Sequence, residues 1–195
     1  MGKIFIIVGK SATGKDTIYK HLLMQEELNL KTVVMYTTRP IRKGETEGVE
    51  YHFVDENRLK ELTNQNKVIE HRFYNTVHGI WHYFTVNDGQ IDLDRYNYLM
   101  IGTLATYEQI RKFFGKDKVK PIYLEAPDDV RLLRSIGREQ KQEQPKYAEV
   151  CRRYLADEED FSEENLKANG ITKRFQNLKI EECLSKVIQE IKNQL

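Results

Sequence analysis

Short apolar runs alternate with longer amphipathic stretches along this chain, a pattern that predicts an α/β protein built on a parallel sheet. Four runs read as central strands covered on both faces: Ile4 to Val8, Thr32 to Tyr36, Tyr98 to Ile101 and Val119 to Leu124. Helical spacing puts Ile18, Leu22, Leu23 and Leu28 on one stripe, which predicts a first helix from near Gly14 to about Leu28. A second helix should follow Thr103, whose hydroxyl suits an N-cap. A third is expected from Pro127 to about Ser135, opening on an Asp pair where negative charge suits the helix dipole. The last covers Glu181 to Ile191.

From about residue 40 to 96 the alternation breaks. Tyr51 to Val54, Val68 to Phe73 and Val77 to Val86 read as short antiparallel strands around a helix from Glu56 to Thr63, the pattern of an inserted substrate subdomain. A second irregular region, residues 138–167, is dense in Arg, Lys, Glu and Gln, with a helix through YAEVCRRYLADEEDF. Its composition fits either a mobile lid or a solvated helical hairpin. The 195 residues suit a single domain, with a core made of 1–38, 97–137 and 168–195, an insert at 39–96 and the polar region at 138–167.

Charge narrows the partners. Lys and Arg total 31 against 30 Asp and Glu, a net charge of +1, which gives no support for a general nucleic-acid or membrane binder and leaves any electrostatic role local. Cys151 and Cys183 lie in helical segments without the paired spacing of a metal or redox site, so free thiols are expected. The run IFIIV is too short for a signal sequence or a spanning helix, and Ile6 stands where a myristoylation motif needs Ser or Thr. The expectation is a cytoplasmic protein.

Candidate chemistry begins at Gly9 to Lys15, where GKSATGK fits GxxxxGK between an apolar strand and an amphipathic helix. The glycines let backbone N–H groups and the helix N-terminus face a polyphosphate, and Lys15 reaches its outer oxygens. Gly9, Ser11, Ala12, Thr13, Gly14, Lys15, Asp16 and Thr17 are therefore expected to hold ATP. Residue 16 departs from the motif, which there has Ser or Thr for magnesium. Either Asp16, with Thr17 beside it, supplies oxygen to the metal shell, or it points away and water fills the position.

The segment Thr37 to Phe53 reads TTRPIRKGETEGVEYHF. Two arginine forks, Arg39 and Arg42, converging with the Tyr51 hydroxyl would clamp a phosphate monoester; a solvated basic loop is the alternative. Together with the phosphate loop, this segment closely resembles the guanylate kinase family, whose signature has TTR, a second Arg, a Gly-Glu pair and a Tyr-x-Phe strand. The resemblance covers most of the chain. It implies a P-loop core, an inserted acceptor domain and a lid closing over ATP, with transfer of the ATP γ-phosphoryl group to GMP and magnesium as cofactor.

By the same resemblance Arg39, Arg42 and Tyr51 hold the GMP phosphate, and Glu70 reads guanine, accepting from N1–H and the 2-amino group. Val77-His78-Gly79 matches the family's Val-His-Gly step, and with a one-residue shift Tyr83 falls on phosphate and Thr85 near guanine. Arg138 and Arg153, or Arg152 in place of the latter, resemble the arginines that close on the transferring group. Asn177 sits where the family has an asparagine near adenine.

Three positions depart from the family. Its LDID run is Leu99, Met100, Ile101 and Gly102 here, without either carboxylate, and its base-reading serine is Met35. Asp92 and Asp94 either replace a lost carboxylate from the loop or are ordinary turn acids. Two other functions therefore stand beside a guanylate kinase: a kinase for a sugar phosphate, as in the ribose bisphosphate kinases, and a binding module without catalysis.

Overall fold

The computed structural model describes residues 1–76 and 79–195. A five-stranded parallel sheet comprises β1 (Ile4–Val8), β2 (Leu30–Thr32), β7 (Asn97–Ile101), β8 (Val119–Glu125) and β9 (Arg174–Gln176), in the order β2-β7-β1-β8-β9. All five residues of β1 are buried because helices cover both faces. On one face Ile4, Ile6, Val8 and Met100 pack with Leu104, Tyr107 and Ile110 of α3 (Leu104–Phe114). On the other, Phe5, Ile7 and Leu99 meet Ile18 and Leu22 of α1 (Lys15–Leu23), and Cys183, Val187 and Ile191 of α7 (Ile180–Gln194).

A second sheet stands beside the first. Its strands β3 (Met35–Thr37), β4 (Tyr51–Phe53), β5 (Val68–Thr76) and β6 (Gly79–Val86) run in the order β4-β3-β6-β5, and α2 (Glu56–Asn64) covers it through Leu59 and Leu62 against Phe84 and Val86. The polar region carries the end of α4 (Asp128–Glu139), then α5 (Tyr147–Asp160) and α6 (Glu163–Ala168). Among the described residues no helix is long and apolar enough to cross a membrane.

Several expectations need correction. Thr32 to Tyr36 is not one central strand: the chain leaves the parallel sheet after Thr32 and enters the small sheet at Met35. The Gln90 side chain binds both the N–H and the carbonyl of Val34, taking the backbone groups a continuing strand would use. The first helix ends at Leu23, and a 3-10 turn (Glu26–Leu28) then brings Leu28 into the core. Strand β4 pairs with β3 in parallel, not antiparallel, as the long Thr38–Glu50 connection permits. The third helix runs on to Glu139, so Arg138 belongs to its last turn. Strand β9 and helix α6 were unforeseen: β9 has three residues with Phe175 alone buried, and α6 has six. Val77 and His78 of the Val-His-Gly step lie outside the described residues.

Candidate active site

The phosphate loop joins β1 to α1 at the C-terminal edge of the parallel sheet, where open α/β sheets bind ligands. Two glycines are needed there. A Cβ at Gly9 would lie 2.3 Å from the Leu124 carbonyl oxygen, and one at Gly14 (φ +91°) 2.4 Å from Asn177 Nδ2. Asn177 is 1 % exposed and donates to the Thr13 carbonyl (2.8 Å), bracing the loop from beyond β9, while its Oδ1 is buried with no hydrogen-bond partner among the described residues. The Thr13 hydroxyl closes the turn onto the Lys10 carbonyl (2.9 Å), and Ala12 takes a left-handed conformation (φ 63°).

Lys15 folds back over this loop, donating to the carbonyls of Gly9 (2.6 Å) and Lys10 (2.9 Å). Burial pushes its ammonium below the usual range, Asp157 and Asp16 oppose that shift, and Arg131 and Arg138 add to it. Asp16 is exposed and lines the main cleft; Thr17 is exposed and does not line it.

Helix α5 closes the loop from the other side. Asp157 accepts from the Ser11 N–H (2.6 Å), and Glu158 pairs with Lys10 (2.6 Å). Arg131, 2 % exposed, binds the Ser11 carbonyl (3.2 Å), Asp128 (2.7 Å), Glu158 (2.9 Å) and Asp157 (3.4 Å). Arg134 reaches the Ala12 and Asn177 carbonyls. Arg138 and Arg153 line one cavity of about 150 Å³ between α4 and α5, with Ser11 and Asp157. Arg152 does not line it. Both Arg152 and Arg153 pair with Glu149, whose carboxyl they hold down to about 2.

The TTR segment is stitched to β6: Thr37 donates to the His82 carbonyl (2.8 Å), and Thr38 accepts from the His82 N–H (3.0 Å). This fixes Arg39, 4 % exposed, whose fork grips both oxygens of Glu45 (2.7 and 2.5 Å). Glu45 also accepts from the Arg42 N–H (2.8 Å), and the Arg39 guanidinium lies over Tyr51, 5.1 Å from the ring centre. A carboxylate thus occupies the fork expected for phosphate. Arg42 extends over Trp81, and Tyr51 and Tyr83 meet edge to face at 5.6 Å.

Hydrogen bonds from Arg39 hold the Glu45 carboxyl at about 2, below its usual 4.5. A lowered carboxyl stabilises the fold above 4.5 and loses that contribution as pH falls through the folded value near 2. The difference in urea midpoint between wild type and Glu45→Gln should accordingly be present at neutral pH and shrink across that window. A pH-independent difference would show that the pair contributes nothing.

Glu70 is 1 % exposed on β5. It accepts from Thr85 on one oxygen (3.3 Å) and from Thr106 of α3 on the other (3.1 Å), and Arg72 Nε lies 2.7 Å from that second oxygen. Burial pushes its carboxyl up, and Arg72 and the two hydroxyls oppose the rise. Thr106 fills the space in front of Gly102, where a Cβ would approach its side chain to 2.9 Å. Asp92 and Asp94 stand at the opposite, N-terminal end of β7, where Asp92 caps a turn by accepting from the Asp94 N–H.

A cleft of about 930 Å³ joins the two halves, running from Lys15 and Asp16 past Gly102 and Thr103 to Tyr51, Arg72 and Tyr83. Arg39, Glu70 and Thr85 lie behind this wall. Sequence reasoning missed Arg72, Thr106, Arg131, Arg134 and the Asp157–Glu158 pair. Arg131, Arg134 and Arg138 recur at three- and four-residue steps on one helix face, a signal that was present. Thr106 carried none, because its role depends on a missing side chain at 102.

The guanylate kinase family model matches residues 1–186. A guanylate kinase of Chlorobaculum tepidum is 31% identical over 137 residues, which are 69% of this chain and 67% of that protein. One from Methylobacillus flagellatus is 41% identical over 81 residues, and this chain spans 38% of its length. The crystal structure of guanylate kinase from Anaplasma phagocytophilum aligns with a TM-score of 0.68 at 19% identity, over 99% of this chain and 86% of that one, a likeness of fold. With the phosphate loop, the TTR segment and the paired sheets in place, this chain belongs to the guanylate kinase family.

Proposed function

We propose that the protein transfers the γ-phosphoryl group of ATP to GMP, giving ADP and GDP in the cytoplasm. One observation carries the reading: a single cleft reaches from the phosphate-loop lysine to the tyrosines in front of the Arg39 fork. Donor and acceptor phosphates placed at its two ends would face each other, as direct in-line transfer requires.

In this reading the loop N–H groups of residues 9–17 hold the ATP phosphates, and Lys15 exchanges its two carbonyl partners for phosphate oxygens. The unpaired Asn177 Oδ1 suits the adenine amino group. Tyr51 and Tyr83 meet the acceptor phosphate at the cleft wall with Arg42 and Arg39, the latter exchanging Glu45 for phosphate oxygens, and one acceptor oxygen attacks the γ-phosphorus as the bond to the ADP oxygen breaks. Arg138 and Arg153 balance the charge spread over the transferring oxygens. Glu70 and Thr85 define the base end.

Among the described residues no cluster of three or more His, Cys, Asp or Glu side chains could hold a metal. Magnesium needs no such cage, since one or two carboxylates, phosphates and water complete its shell. The exposed Asp16 carboxylate at the cleft fits that need and would hold the ion; Thr17 does not line the cleft, so water would complete the shell. When bound, magnesium would neutralise and orient the phosphate oxygens.

Coupled ADP release with GMP, AMP, CMP, UMP and a ribose bisphosphate tests the proposal. GMP should be the fastest acceptor of this set. A sugar phosphate exceeding every nucleotide would overturn it, as would folded protein that neither binds ATP nor turns over any acceptor.

A further inference from the structure

Three features of the base end belong together. Glu70 is engaged on both oxygens and does not line the cleft, whereas Arg72, two residues along the same strand, does. Arg72 lies across Glu70: Nε stands 2.7 Å from its carboxylate, yet the N–H direction misses it, so this is a charge contact and not an aligned hydrogen bond. Among the described residues Nη2 has one hydrogen-bond partner, the Met35 sulfur (3.5 Å), and Nη1 has none, while the guanidinium lies 6.0 Å from the centre of the Tyr83 ring. A guanidinium with unmatched donors thus faces the cleft where a carboxylate was expected.

We propose that Arg72 sets base specificity in the acceptor site, reading the O6/N7 edge of a 6-oxopurine nucleotide; this rests on the nucleoside monophosphate kinase function proposed above. Arginine has donors only, so it cannot pair with the N1–H and 2-amino donors of guanine. It matches O6 and N7, both acceptors, with two parallel bonds. Adenine presents an amino group at position 6, a donor facing a donor, and is rejected. Hypoxanthine shares O6 and N7 with guanine and lacks only the 2-amino group. Met35 and Gly102 line the same cleft and add no charged or hydroxyl side chain that would compete with Arg72 for the base. Glu70 holds the guanidinium in place and acts through it.

The test is kcat/KM for GMP, IMP and AMP with wild-type protein and with Arg72→Met, whose folding is checked by its melting curve. Wild type should use GMP and IMP within about threefold of each other and both at least roughly tenfold better than AMP, a bidentate contact giving discrimination of that order. In Arg72→Met the Glu70 carboxylate is uncovered, and GMP should gain about tenfold over IMP. A wild-type preference for GMP over IMP beyond about tenfold overturns the inference and leaves the kinase reading intact. So does an Arg72→Met loss equal for all three nucleotides, which would put the guanidinium on phosphate. No turnover with any nucleotide overturns the kinase reading itself, and this inference with it.

Discussion

Replacing Lys15 by alanine should lower kcat for phosphoryl transfer about 10²–10³-fold, the cost of removing one preorganised group that meets transition-state charge. The fold should not suffer, because the loop is shaped by Gly9, Gly14 and the Asn177 brace, none of which depends on the lysine. The ammonium is turned onto two carbonyls of the loop, which hold it there. Asp157 and Asp16 oppose the effect of burial and favour its charged form. Arginine at this position should fail nearly as badly, since a planar fork does not replace a compact charge on a flexible stem. Single-turnover rates at saturating ATP, with near-UV circular dichroism as the folding control, measure the effect. Activity within about threefold of wild type would remove Lys15 from the chemistry.

Arg131→Met should be the most destabilising single change in the donor half. The side chain is 2 % exposed and binds Asp128, Asp157, Glu158 and the Ser11 carbonyl, with its guanidinium 5.0 Å from the centre of the Tyr154 ring. Methionine keeps most of the packing volume but leaves Asp157 facing the loop without its guanidinium partner and Glu158 with Lys10 alone. Breaking a buried pair typically costs about 3–5 kcal/mol; Asp128 and Glu158 keep contact with water, which argues for about 3 kcal/mol here. Adding Asp157→Asn should recover part of the loss, because neutralising the stranded partner removes its penalty. A cost under about 1 kcal/mol would mean that α5 is held by its other contacts.

Much of the architecture was legible because apolar runs report sheet burial directly. Ile4–Val8 and the run before Glu125 could be little else, and Thr103 acts as the expected N-cap. The errors fall where backbone partners come from distant side chains. Gln90, 56 positions away, takes the backbone groups of Val34 between the two sheets, which no local pattern encodes. At the site, the glycine loop and Arg39 announce themselves by motif. Arg72 and Thr106 do not, since their meaning comes from Glu70 and from the space at Gly102, brought together only by β5 and α3.

The Glu70–Thr106 bond also ties the small sheet to α3, the helix packed on the parallel one. Beside it, the His71 N–H and carbonyl both engage the Gln109 side chain, so β5 is fastened to α3 at two successive residues. This is a strut between the two halves of the cleft. An acceptor that drew Glu70 to itself would have to unfasten one end of it, making base capture and relaxation of the cleft a single event. An acceptor met by Arg72 leaves the strut loaded, and the base then docks against a wall that need not move.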